Sequence, residues 1–126
     1  VAQLILIAED DPSMSVCLQH ILESSGYNTL TADNGIDALK ILREKHPAML
    51  LTGLDLPDLG GFGLCQAIRD DHQCDGIKIM IVTSKTRSVD KDKAHALGAD
   101  SYITKPFKNG DILKTVQHLS ENKGAG

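Results

Sequence analysis

Long apolar runs, basic charge and paired cysteines are all scarce in this sequence. No apolar stretch approaches the roughly eighteen residues that a membrane-spanning helix needs, so a soluble, cytoplasmic protein is expected. Thirteen Lys and Arg against seventeen Asp and Glu leave a formal charge of -4, which gives no basic field for nucleic-acid phosphates. Direct binding to nucleic acid is therefore disfavoured, and proteins or cations are the expected partners. The three cysteines, Cys17, Cys65 and Cys74, are odd in number and lack metal-ligand spacing, which suits reduced thiols acting as small core fillers. The opening "VAQLILIAEDD" has no basic segment of a signal peptide, and its lack of an initiating Met fits an excised fragment. Internal repeats, low-complexity segments and a second-domain boundary are missing too. A length of 126 residues then predicts one domain over residues 1–120, with 121–126, the end of "SENKGAG", as a frayed tail, a linker or a vector remnant.

What is present is alternation. "LILIA" (Leu4 to Ala8), "AMLLT" (Ala48 to Thr52) and "KIMIVT" (Lys78 to Thr83) are short and almost continuously apolar, as parallel strands buried on both faces are. "YNTLTA" (Tyr27 to Ala32) is polar enough for a sheet edge, and "DSYIT" (Asp100 to Thr104) is a fifth strand. Between them, Asp11 and Pro12 read as the cap and first residue of a helix carrying Val16, Cys17, Ile21 and Leu22, stopped at Gly26. Ile36, Leu39 and Leu42 mark a second helix, Phe62, Cys65 and Ile68 a third, Val89 to Leu97 a fourth closed by Gly98, and Ile112, Leu113, Val116 and Leu119 a fifth. This order predicts an α/β fold, a doubly wound (βα)5 domain on a five-stranded parallel sheet. The flavodoxin-like order 2-1-3-4-5 puts the polar second strand at an edge.

In such a sheet ligands bind beyond the carboxyl ends of the strands. The chain delivers Glu9, Asp10 and Asp11 after the first strand, Gly53 after the third, Thr83 and Ser84 at the end of the fourth, and Lys105 and Pro106 after the fifth. Acids, hydroxyls and a lysine around one edge suit a divalent cation and a phosphoryl group. A flavodoxin-like cofactor carrier is a less suitable reading, because the first strand-to-helix turn, "AEDDPSM", is acidic and free of glycine.

The segments "LILIAEDDPSM", "HPAMLLTGLDLPDLGGFGL", "KIMIVTSK" and "GADSYITKPF", at these spacings, resemble the receiver domain of two-component response regulators over nearly the whole chain. The resemblance implies that Glu9 and Asp10 correspond to the acids that help hold Mg2+, with the backbone carbonyl of Asp55 as a further ligand. It matches Thr83 to the hydroxyl residue that bonds a phosphoryl oxygen, Lys105 to the lysine that contacts the same group, and Tyr102 to the aromatic that changes rotamer on activation. A strand-end hydroxyl satisfying backbone and an aromatic covering a sheet edge are the structural alternatives for Thr83 and Tyr102. The family's phosphoacceptor aspartate stands four residues before a loop proline and eight before a loop glycine. Counting back from Pro57 and Gly61 gives Gly53 both times.

Glycine has no carboxylate, so no acyl phosphate can form at residue 53. Weak Mg2+ binding is expected, with no tightly bound cofactor, and Lys105 is expected to pair with Asp10, Glu9 or Asp55. The expected function is that of a non-enzymatic, non-phosphorylatable receiver, in which Gly53 is a natural loss or a deliberate replacement. It would dock to a histidine kinase, other two-component proteins or an output domain, as a monomer or a weak dimer through the fourth and fifth helices. The alternative is an active receiver accepting phosphate at Asp55 or Asp10. The run "VDKDKAH" reads as the solvated face of the fourth helix or part of a docking face, and Gly60 and Gly61 as loop positions with positive φ.

Overall fold

Strictly alternating strands and helices make up the computed structural model, which describes residues 3–121. The strands are β1 (Leu4–Ala8), β2 (Asn28–Ala32), β3 (Met49–Thr52), β4 (Lys78–Thr83) and β5 (Ser101–Thr104). The helices are α1 (Pro12–Glu23), α2 (Gly35–Lys45), α3 (Gly60–Arg69), α4 (Ser88–Ala96) and α5 (Asn109–Glu121), with one 3-10 turn at His72–Cys74. The sheet is parallel, in the order β2-β1-β3-β4-β5. The expected fold is the one found. Of the tail expected at 121–126, Glu121 ends α5 and the rest lies outside the described residues.

Alternate strand residues feed two cores, because successive side chains of a strand point to opposite faces. Ile5, Ile7, Leu51, Met80 and Val82 pack with Leu18, Ile21 and Leu22 of α1 and Ile112, Val116 and Leu119 of α5. Leu6, Ala8, Leu50, Ile79 and Ile81 pack with Ala38 and Leu42 of α2, Leu64, Cys65 and Ile68 of α3 and Ala94 of α4. Three strands buried on both faces account for the continuous apolar runs, while Asn28 and Thr31 of the edge strand β2 stay exposed.

Asp11 caps α1, accepting the Ser13 N–H at 3.0 Å, with Pro12 in the first turn as expected. The apolar stripe of α1 is phased differently from the expectation: Val16 is 64% exposed and Cys17 is exposed, while Leu18 joins Ile21 and Leu22 inside. Leu18, Ile21 and Leu22 stand at i, i+3 and i+4, which share one helix face. Of the three cysteines, only Cys65 and Cys74 are core fillers. On α2, Ile36 is 61% exposed, and the buried stripe is Gly35, Ala38 and Leu42. Asp58, at φ +64, reaches across from the loop before α3 and accepts the Ile36 N–H at 3.2 Å. That loop is thereby fastened to the start of α2.

The opposite rim of the sheet is clamped by Arg69 at the end of α3. Its guanidinium donates to the carbonyls of Ile77 at 2.7 Å and Gly98 at 2.7 Å and pairs with Asp100 at 2.9 Å. The same Asp100 carboxylate accepts the Ile79 N–H at 2.8 Å. Among the described residues, no helix is long and apolar enough to cross a membrane.

Candidate functional site

The strand ladders set the site. Just past β1, the Glu9 N–H bonds the Ala32 carbonyl at 3.0 Å. Just past β3, the Gly53 N–H bonds the Ala8 carbonyl at 3.1 Å, and past β5 the Lys105 N–H bonds the Thr83 carbonyl at 2.7 Å. Each ladder therefore delivers the residue after its strand to the same carboxyl edge, where the connections leaving β1 and β3 run to opposite faces of the sheet. A cleft of about 140 Å3 forms there, lined by Glu9, Asp10, Asp11, Gly53, Leu54, Asp55, Val82, Thr83, Ser84 and Lys105. Of the residues that the sequence places at this edge or the resemblance assigns to the site, Tyr102 and Pro106 stand outside its lining.

Gly53 faces the acids. A Cβ there would lie 3.3 Å from Glu9 Oε1 and 3.8 Å from Oε2. Glu9 is only 6% exposed, and both its oxygens are engaged: Oε1 by Lys105 Nζ at 3.3 Å, Oε2 by the Asp11 N–H at 3.1 Å. Of the three partners open to Lys105, the fold selects Glu9. Asp10 and Ser84 are exposed. The Asp55 side chain is 73% exposed and reaches Lys85 Nζ at 3.7 Å.

Thr83 is buried, and its hydroxyl accepts the Lys85 N–H at 3.2 Å, so it does satisfy backbone. Tyr102 donates its hydroxyl to the Lys85 carbonyl at 2.9 Å. Partial burial, with the Asp90 carboxylate nearby, holds its phenol above the ordinary tyrosine range. Lys85 therefore joins Asp55, Thr83 and Tyr102, a role sequence reasoning missed although the residue closes the segment "KIMIVTSK". Gly61 also differs from expectation. Gly60 has φ +70, but Gly61 does not have positive φ; a Cβ on it would run into the Gly53 carbonyl oxygen and lie 2.8 Å from Leu54 Cα. Glycine at 61 lets the first turn of α3 rest directly on the backbone of the site.

The donor set suits a firmly held divalent ion poorly. Among the described residues no three Asp, Glu, His or Cys side chains converge on one point. Gly53 brings no side-chain donor to the cleft, and both oxygens of Glu9 are occupied by protein donors.

Acids after β1, a buried hydroxyl closing β4 and a lysine before a proline after β5, on a sheet of this order, define a receiver-type signalling domain. The family model described as "Response regulator receiver domain" matches residues 5–117, and the chain belongs to that family, the receivers of two-component systems. It is 36% identical over 115 residues to the DNA-binding response regulator MtrA of Mycolicibacterium smegmatis, covering 91% of this chain and 49% of that protein. It is 34% identical over 112 residues to Protein PilH of Pseudomonas aeruginosa, covering 89% of this chain and 93% of that protein. The chain thus spans about half the length of the first of these relatives and nearly all of the second. Among solved structures it superimposes on the chemotaxis response regulator CheY4 of Vibrio cholerae with a TM-score of 0.89 and 27% identity, over 94% of this chain and 99% of that one.

Proposed function

We propose that this receiver domain signals without an aspartyl phosphate, as a docking module for two-component partners. The observation that carries this reading is Gly53, which follows β3 and faces Glu9 inside a cleft that keeps Thr83 and Lys105. Phosphoryl transfer into a receiver needs a carboxylate oxygen in line with the donor phosphorus, with cations neutralising the transferred charge. The cleft supplies a cation and a hydroxyl, and residue 53 supplies no nucleophile. Asp55 is a poor substitute, since its largely exposed side chain is directed to Lys85.

The partners under this reading are a histidine kinase, another two-component protein or an output domain, reached through surfaces away from the cleft. On α4, Val89 is 59% exposed, and Lys93 lies over the Phe62 ring of α3 at 4.6 Å, which gives that face apolar and cationic character. The module has no enzymatic activity of its own, and weak self-association through α4 and α5 is compatible with it.

The test is intact mass after incubation with Mg2+ and acetyl phosphate, for the unsubstituted chain, Gly53→Asp and Asp55→Asn. A phosphoryl gain by Gly53→Asp alone is expected. A gain by the unsubstituted chain that Asp55→Asn abolishes would overturn the reading and make Asp55 the acceptor.

A further inference from the structure

We infer that Lys105 is the resident cation of the cleft and that it stands where a divalent ion would otherwise be needed, so that the domain is indifferent to Mg2+. The inference rests on the ion pairing around Glu9 and not on the assignment of residue 53 as an acceptor position, so the two stand or fall by separate experiments.

The reasoning begins with Glu9. A carboxylate that is 6% exposed must be paired or hydrogen-bonded to stay charged at low cost. It is both, with the Lys105 ammonium on one oxygen and the Asp11 N–H on the other. Gly53 makes this possible, because without a carboxylate at 53 no nearer anion competes for Lys105. A divalent ion entering here would have to displace a tethered ammonium, whose effective concentration at Glu9 is fixed by the chain. In return it would gain no carboxylate from residue 53.

The other donors offer little compensation. Asp11 has one oxygen committed to the Ser13 N–H at the start of α1. Asp55 is already drawn toward a second ammonium, that of Lys85. Asp10 is exposed, and one solvated carboxylate is a weak site for an ion that gives up water reluctantly. Two lysines and one backbone N–H thus balance Glu9 and Asp55.

The test is calorimetric titration of Mg2+ and Mn2+ into the unsubstituted chain, Lys105→Gln and Lys105→Arg at constant ionic strength, with thermal melts to establish that each variant is folded. The expected result is no saturation by about 10 mM for the unsubstituted chain or Lys105→Arg, and saturable binding below about 1 mM, at least about tenfold tighter, for Lys105→Gln, where the competing charge is gone. A folded Lys105→Gln that likewise fails to saturate by about 10 mM, or saturable binding by the unsubstituted chain, would overturn the inference. A reading that needs no variant is the Glu9 carboxyl 13C resonance of the labelled, unsubstituted chain. It should stay in place as Mg2+ is added, and movement that saturates below about 1 mM would overturn the inference as well.

Discussion

Placing aspartate at residue 53 tests how the cleft balances its charge. The new Cβ would stand 3.3 Å from Glu9 Oε1, so the added carboxylate comes within about 5 Å of a buried one. At an effective dielectric of about 20 that repulsion is roughly 3 kcal/mol, and attraction to Lys105 at a similar distance returns about as much. Lys105 must then be shared between two anions. Partial desolvation of the new charge costs about 1–2 kcal/mol, and removing a glycine from the unfolded chain restores about 0.4–1 kcal/mol. The balance is a loss of about 1 kcal/mol, or a Tm lower by about 4 °C for a domain of this size. The assay is a thermal melt of both proteins in chelator at low salt and neutral pH, repeated with Mg2+. The deficit should shrink with Mg2+, because aspartate supplies the missing carboxylate and draws Lys105 off Glu9. It should also fade as the pH falls toward about 4, because crowding by a like charge makes a carboxyl protonate more readily in the folded state than in the unfolded one. A Tm that stays level or rises in chelator would refute this accounting.

Two further outcomes are expected. Gly61→Ala should cost about 2 kcal/mol in urea unfolding, since its methyl group meets the Gly53 carbonyl and the Leu54 backbone; a loss under about 0.5 kcal/mol would show that α3 can shift aside. Of the three thiols only Cys17 should react quickly with a disulfide reagent in the native protein, because Cys65 and Cys74 are buried and burial pushes the Cys65 thiol up to about 11. All three should react in denaturant, and a second fast native thiol would contradict the packing of α3 or of the turn at Cys74.

The sheet was legible because its signals were local. Runs buried on both faces mark the central strands, and the polar "YNTLTA" marks an edge. Helix phase was less legible, because several apolar phases were open on α1. Val16 and Cys17 compete on paper with Leu18, and only contact with the sheet shows that Leu18, Ile21 and Leu22 face inward. The cleft was legible as a set of residues, since strand ends and topology place them together. Its pairings were not, because Glu9 and Lys105 lie 96 residues apart and three acids were open to that lysine. Lys85 escaped notice for the same reason: its partners come from β5 and from the loop after β3. The need for glycine at 61 was visible, but its cause was not, since close contact with the Gly53 carbonyl appears only once α3 is docked.

Arg69 gives the sheet a mechanical polarity. By gripping the carbonyls of Ile77 and Gly98 and the carboxylate of Asp100, it rivets the entrances of β4 and β5 to the end of α3. The cleft and Lys85 lie at the exits of the same strands. A partner pressing on the loops there works against a sheet fixed at its far end, as a hand works against the free end of a clamped beam. Displacement there falls on the loop carrying Lys85, which the hydroxyl of Tyr102 ties back to β5, and the rim held by Arg69 serves as the fixed support.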